Sequence, residues 1–271
     1  MVKLLFIGDI VGFPGLEFVC KNLENIKKHY SSNFIVVNGE NVCNGKGITE
    51  IEANKLFDIG VDVITTGNHI WDNWASKPLL KEDKRVIRPM NYPPGNLGRG
   101  FAIVKHKIFD IDIAVLQIQG RMYMQTIDCP FRTVNNTIEN IHSKSDTNII
   151  IVDFHAEATS EKVSMGWHLD GSVSAIIGTH THIQTADEQI LPKGTAYITD
   201  SGMSGPYDSV LGMDKKVALN RYINQTAYRF IPATEDIHIC GVSIDIDVVS
   251  GQALSIERFI YPEFCKNVID N

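Results

Sequence analysis

The sequence predicts an α/β fold whose sheet mixes parallel and antiparallel strands, and three observations carry that expectation. Short apolar runs alternate with helical stretches through the amino-terminal half. A middle segment carries two strands with no helix between them, and the chain closes on a hairpin. Strands separated by helices form βαβ units and pair in parallel, whereas strands joined directly pair antiparallel.

In chain order, "KLLFIGDIVG" (3–12) reads as the first strand, and "GLEFVCKNLENIKKHY" (15–30) as a helix with Leu16, Val19, Leu23 and Ile26 on one face. "NFIVVNGEN" (33–41) is a strand. It is followed by a helix over "TEIEANKLFDIG" (49–60), opened by Thr49 and Glu52 in capping-box spacing and closed by Gly60. "VDVITTGNH" (61–69) is a strand, and a helix is expected from Asp72 to about Lys81. "GRGFAIVKHKIFDIDIAVLQIQG" (98–120) supplies the antiparallel pair, and "TVNNTIENIHSK" (133–144) a further helix. "TNIIIVDFH", "GSVSAIIGTHTH" and "GTAYITD" return to buried strands, "MDKKVALNRYI" reads as a helix, and the final hairpin turns at Ser250-Gly251. With no linker and no repeat at solenoid periods, residues 1–271 are expected to form one domain.

Composition excludes several classes. At 44% hydrophobic and 21% charged, with 10 Pro and 21 Gly, the chain is globular in type. Its apolar runs fall short of the roughly 20 residues that span a bilayer, and the amino terminus lacks a signal-peptide layout, so a cytoplasmic location is expected. The five cysteines (Cys20, Cys43, Cys129, Cys240, Cys265) form no C-x-x-C and read as free thiols. A net charge of -7 argues against an extended nucleic-acid face. An anionic substrate would therefore need local positive charge, which metal ions supply.

Five apolar runs end alike. They deliver Asp9, Glu40 with Asn41, Asn68 with His69, His155, and His180 with His182. In open α/β sheets, loops converge outside the carboxyl ends of the strands, and ligands bind there. Each residue singly could be a cap or a turn residue, but five coincidences at one end of one sheet make a site. Carboxylates, amides and imidazoles in this number exceed one tetrahedral zinc and suit two ions. Oxygen and imidazole donors without thiolate favour Fe, Mn or Zn. An extended "THTH" would point His180 and His182 the same way.

The motifs "GDIVG", "NGEN", "TGNHIWD", "DFHAE" and "GTHTH" resemble the metallophosphoesterases of the calcineurin-like phosphoesterase superfamily. Val11 stands where those enzymes usually place a histidine, and Glu40-Asn41 where they place an Asp. Both changes, with the segment 154–212, resemble the YmdB-type branch. The resemblance implies a metallo-dependent phosphatase-like αββα sandwich. It also implies a dinuclear phosphodiesterase acting on 2′,3′-cyclic nucleotides, and a homo-oligomer, dimer or tetramer. Carried over, Asp9, Glu40, Asn41 and His182 would hold one metal and Glu40, Asn68, His155 and His180 the other, with a bridging hydroxide attacking phosphorus. His69 would face the substrate as acid or electrostatic stabiliser. Many relatives place an acid directly after this histidine; here Ile70 follows and Asp72 comes three residues on.

Glycine-rich "SGMSGPYDS" (201–209) reads as a plain turn or as a substrate-facing loop, with Gly202, Met203, Ser204 and Gly205 as contacts. Trp71, Trp74 and Trp167 are expected to pack rather than stack on bases. The alternatives to a phosphodiesterase are a regulatory or RNA-associated metal-binding protein and a metal-dependent amidohydrolase. The last would place its H-x-H on the first strand of a TIM barrel, not on a late strand.

Overall fold

A computed structural model describes residues 1–264 of the chain, so Cys265 lies outside the described residues. The chain opens with β1 (Val2–Ile7) and β2 (Asp9–Ile10), then α1 (Gly12–His29), β3 (Phe34–Asn38), α2 (Glu50–Asp58) and β4 (Val63–Thr65). The capping box forms as expected, with Thr49 N–H donating to Glu52 Oε2 at 3.1 Å. The helix expected from Asp72 is instead a 3-10 turn over Asn68–Asp72 and then α3 (Ser76–Glu82). A 3-10 turn suits this spot because short i→i+3 pieces commonly join other elements.

β5 (Phe101–Lys105) and β6 (Asp112–Gln119) pair antiparallel, with Phe101 opposite Leu116. They are followed by α4 (Pro130–His142), β7 (Ile150–His155), α5 (Thr159–Leu169), β8 (Ala175–Thr179), β9 (Gln189–Ile190) and β10 (Ala196–Ile198). The chain returns to the first sheet through β11 (Met203–Pro206), passes α6 (Lys215–Asn224), and ends on β12 (Ile237–Ile246) and β13 (Ala253–Tyr261). The turn between these last strands is tied by Asp247 Oδ1, which accepts from the N–H of Ser250 at 2.8 Å.

The strands make two sheets. One runs β2-β11-β12-β1-β3-β4, with β13 on β12; the other runs β5-β6-β7-β8-β10-β9. Period-two alternation sorts each strand between two cores. Leu4 and Phe6 join Phe34, Val36, Ile113, Val115, Ile151 and Ile177 between the sheets. Leu5 and Ile7 face the other way, onto Leu16, Val19 and Leu23 of α1 and Leu56 of α2. On the far side, Leu116, Val152 and Phe154 pack on Val134 and Ile141 of α4 and Met165 and Leu169 of α5. This is the αββα arrangement. Each fully buried aliphatic or aromatic side chain contributes about 1.5–3 kcal/mol, so three continuous cores hold both sheets rigid where they meet.

Trp71 packs on the first core, but Trp74 and Trp167 are exposed at 78% and 58%, so packing describes only one of the three. Trp74 carries the Lys77 ammonium 3.3 Å above its ring. Among the described residues, no helix is long and apolar enough to cross a membrane.

Candidate metal centre and its cleft

The first sheet brings oxygen donors to the meeting edge. Asp9 begins β2, Glu40 and Asn41 follow β3, and Asn68 follows β4. The second sheet brings His155 at the end of β7, and His180 and His182 just past β8. His155 Nε2 is the focus. It lies 3.0 Å from Glu40 Oε1, 3.1 Å from Asn68 Oδ1 and 3.1 Å from His180 Nδ1. One ring nitrogen cannot serve three polar partners with a single proton, and Glu40 Oε1 meets it off the hydrogen-bonding direction and accepts no bond. Glu40, His155 and His180 offer ligand atoms all within 4.8 Å of one another, the spacing of groups around a cation.

His155 is held from behind. Thr179 Oγ1 donates to Asp153 Oδ1 at 2.7 Å, so it accepts from His155 Nδ1–H at 2.9 Å and leaves Nε2 for the site. Asp153 is fixed in turn by Asn38 Nδ2, which donates to Oδ2 at 2.9 Å, so this chain of contacts crosses from one sheet to the other.

His180 and His182 do not form the extended pair expected. β8 ends at Thr179, and both histidines have left-handed backbone, at φ +99° and +64°. Non-glycine residues occupy this region only where surrounding contacts compel it. Here Asp9 Oδ2 accepts from His180 N–H at 3.1 Å, and His182 Nδ1 lies 3.1 Å from the Leu211 carbonyl. The turn also rests on a buried ion pair that the sequence does not reveal. Lys162 Nζ donates to the Thr179 carbonyl at 2.7 Å and to Asp200 Oδ2 at 2.6 Å, and Asp200 Oδ2 also accepts from Thr181 N–H at 3.1 Å. Lys162 sits on α5, a helix absent from the sequence expectation, and its burial inside a charged stretch leaves no periodic signal.

Electrostatics separate the donors. Burial pushes Asp9 well above the usual carboxylate range. Burial would also raise Glu40, but the neighbouring His155 carries it down to about 2. Burial would depress His155, yet the Glu40, Asp9 and Asp153 carboxylates lift it to about 9. Burial and the neighbouring His155 drive His180 to about 3, and burial lowers His182. Glu40, His180 and His182 are thus held in the forms that ligate metals, whereas Asp9 and His155 would release a proton to a bound cation.

The donor set fits such an ion. Asp9 Oδ1, Glu40 Oε1 and Asn41 Oδ1 are buried and accept no hydrogen bond, a cost of about 1–3 kcal/mol each that a cation removes. Gly67 leaves the room: a Cβ there would land on Glu40 Oε2 and His155 Nε2.

His69 stands apart, with Nδ1 2.9 Å from Asp72 Oδ2, which Lys46 Nζ approaches at 3.5 Å. The carboxylate three residues on therefore orients it. A cleft of about 1070 Å³ opens over Glu40, Asn41, His69, His180 and His182, with Arg221 and the segment 228–232 along one wall.

Gly202, Met203, Ser204 and Gly205 do not line this cleft. They are buried, and Met203–Gly205 lie in β11, with Met203 paired to Asp9 and Ser204 to Ile10. Their glycines serve strand packing, since a Cβ on Gly205 would meet Val11 at 3.1 Å. The substrate-loop expectation is thereby corrected.

A family model described as YmdB-like protein matches residues 5–259. This chain belongs to the YmdB-like family. It is 43% identical over 259 residues to the 2′,3′-cyclic-nucleotide 2′-phosphodiesterase of Bacillus subtilis, covering 96% of this chain and 97% of that protein. A crystal structure described as a phosphatase from Mycoplasma pneumoniae superposes with a TM-score of 0.89 at 32% identity, over 96% of this chain and 92% of that one. A hypothetical protein from Thermus thermophilus gives 0.88 at 35%, over 96% and 99%. The YmdB-like chain therefore has the metallophosphoesterase fold, which implies divalent metal ions, and its phosphodiesterase relatives identify it as a hydrolase of phosphoric esters.

Proposed function

We propose that the chain is a dinuclear metal-dependent phosphodiesterase that hydrolyses 2′,3′-cyclic nucleotides. The observation that carries this reading is the convergence of Glu40, Asn68 and His180 on His155 Nε2, in a chain 43% identical to an enzyme named for that reaction. Asp9, Glu40, Asn41 and His182 would hold one ion and Glu40, Asn68, His155 and His180 the other. Iron, manganese or zinc suits these oxygen and imidazole donors. When bound, such ions lower the pKa of water and neutralise phosphoryl charge.

The remaining work falls to the chain. Water oxygen bonds to phosphorus, the P–O2′ bond breaks, and the 2′ oxygen takes a proton. With Nδ1 engaged by Asp72, His69 presents Nε2 to the cleft, where it donates that proton or stabilises a phosphoryl oxygen. His69→Ala should lower turnover by about 10²–10⁴-fold while metal content stays, measured by elemental analysis beside hydrolysis of a 2′,3′-cyclic nucleotide. Loss of metal in that variant would place His69 among the ligands instead.

Because both sheets would supply ligands, the described residues 1–264 of the expected 1–271 domain read as one unit. Leu219, Tyr222 and Ile223 stand exposed on α6 and offer a face to a second copy, in keeping with a homo-oligomer. Four free thiols among the described residues suit the reducing cytoplasm.

A further inference from the structure

The cleft is larger than its chemistry requires. One phosphodiester occupies only the floor near the histidines, yet about 1070 Å³ continues along a wall carrying Arg221, Tyr228, Arg229 and Phe230. None of these four stands out in the sequence, because arginines spaced by a helix end and a loop make no motif.

The wall is built onto the site. Leu211, where it begins, is the residue whose carbonyl meets His182. Asp214 caps α6 by accepting from Val217 N–H at 3.0 Å, and its own N–H donates to the Ile231 carbonyl at 2.8 Å, closing α6 and the following loop into one unit. Phe230 lies directly on Gly45, whose φ of +83° and missing Cβ admit the ring. Asn224 Nδ2 donates to the Tyr228 hydroxyl at 3.0 Å and sets that side chain.

Charge decides what the wall recognises. Of the carboxylates facing the cleft, Glu40 is paired with His155 and Asp72 with His69 and Lys46, while Glu157 lies 3.2 Å from His180 Nε2 at the rim. Lys215, at the start of α6, is paired with Asp208. Among the described residues, Arg221 and Arg229 have no carboxylate within 4.0 Å, in a chain whose net charge is -7. Two unpaired guanidinium groups beside a phosphodiester site match a second anion on the same substrate, and the planar guanidinium suits phosphate oxygens in particular.

We infer that Arg221 and Arg229 bind a second phosphate, the one on the 5′ oxygen of the nucleoside whose cyclic phosphodiester is cleaved. This deepens the reading of the site given above and rests on it. The same chemistry comes from two sources, a 5′-phosphorylated mononucleotide or the last internucleotide linkage of an oligoribonucleotide ending in a 2′,3′-cyclic phosphate. In either case Arg221 and Arg229 determine specificity and leave the bond-breaking step to the floor of the cleft.

The test measures kcat/KM of the full-length, Mn²⁺-loaded protein on three substrates. These are adenosine 2′,3′-cyclic phosphate, its 5′-phosphorylated form, and the dinucleotide ApA ending in a 2′,3′-cyclic phosphate. The phosphorylated form should exceed the first by about tenfold or more, through KM, and Arg221→Ala and Arg229→Ala should each bring that ratio towards one. Each ratio is taken within one protein, so partial loss of fold does not mimic the effect. Equal gains for the second and third substrates assign either source of phosphate, whereas a gain for the mononucleotide alone assigns a terminal phosphate. A gain for the dinucleotide alone overturns the inference, because the added nucleoside and not the phosphate would then be read. A wild-type ratio near one, or one that survives both substitutions, overturns it while leaving the phosphodiesterase reading intact. No hydrolysis of any of the three by metal-loaded protein overturns both.

Discussion

The first sheet ends in oxygen donors and the second in imidazoles, and the two sets are prepared differently. Asp9, Glu40 and Asn41 each keep a buried oxygen without a hydrogen bond. His155, by contrast, is fixed through Thr179 and Asp153, and the turn bearing His180 and His182 rests on Lys162 and Asp200. The oxygen side therefore keeps unmet bonding capacity, while the imidazole side commits its hydrogen bonds to orientation. Ring tautomer and direction need fixing from behind, whereas a carboxylate has lone pairs to spare.

The comparison breaks most completely where the sides touch. Gly67→Ala drives a methyl group into Glu40 and His155 together. It should abolish metal retention and cut hydrolysis by about 10²-fold or more, read by elemental analysis and substrate turnover. Wild-type metal content in that variant would show that the two residues do not act as one cluster.

Removing the support of the imidazole side alone comes next. Lys162→Met leaves Asp200 buried and unpaired, and should cost about 3–5 kcal/mol in denaturant unfolding. Metal affinity should fall about 10–100-fold as the turn loosens. Pairing it with Asp200→Asn removes the orphaned charge. Stability should then recover more than affinity does, and full recovery of both would deny the pair its positioning role.

A third measurement sharpens the contrast by pH. After chelation, His155 lifted to about 9 contributes stability that is full below its usual 6.5 and lost as pH rises through 9. Glu40, lowered to about 2, contributes stability present above its usual 4.5 and lost only as pH falls through 2. Asp153, which burial raises to about 6, loses its own contribution between its usual 3.8 and 6, below the range of His155. The Tm of chelated protein should therefore decline between pH 6.5 and 9, and metal should flatten that decline by taking the place of the His155 proton. A Tm that does not change over that range would contradict the coupling between the sheets.

The smallest effect lies away from the site. Backbone N–H of Arg132 at the start of α4 lowers the Cys129 thiol, while burial raises Cys43 and Cys240 to about 12. Iodoacetamide at pH 8 should label Cys129 before those two in a peptide-mapped time course.

The oxygen side is the more legible in sequence, because Asp9, Glu40, Asn41 and Asn68 each follow an apolar run that fixes where a strand ends. His155 is legible for the same reason. What escapes is long-range or unpatterned. Lys162 meets Asp200 across 38 positions and sits in a helix whose charged stretch hides its buried face. The Gly202–Gly205 segment imitates a loop in composition, but its glycines admit close neighbours: a Cβ on Gly8 would strike the Gly202 carbonyl. The antiparallel pair at 98–120 is readable because no helix separates its strands. The alternation expected of His180 and His182 fails because β8 stops at Thr179, one residue too soon.

The Leu211 carbonyl that meets His182 gives the cleft an economy of parts. One stretch of backbone meets the His182 ring at one end and carries, further along, two arginines that line the cleft. A change in that stretch is thus felt twice, at the histidine turn and at the cleft wall.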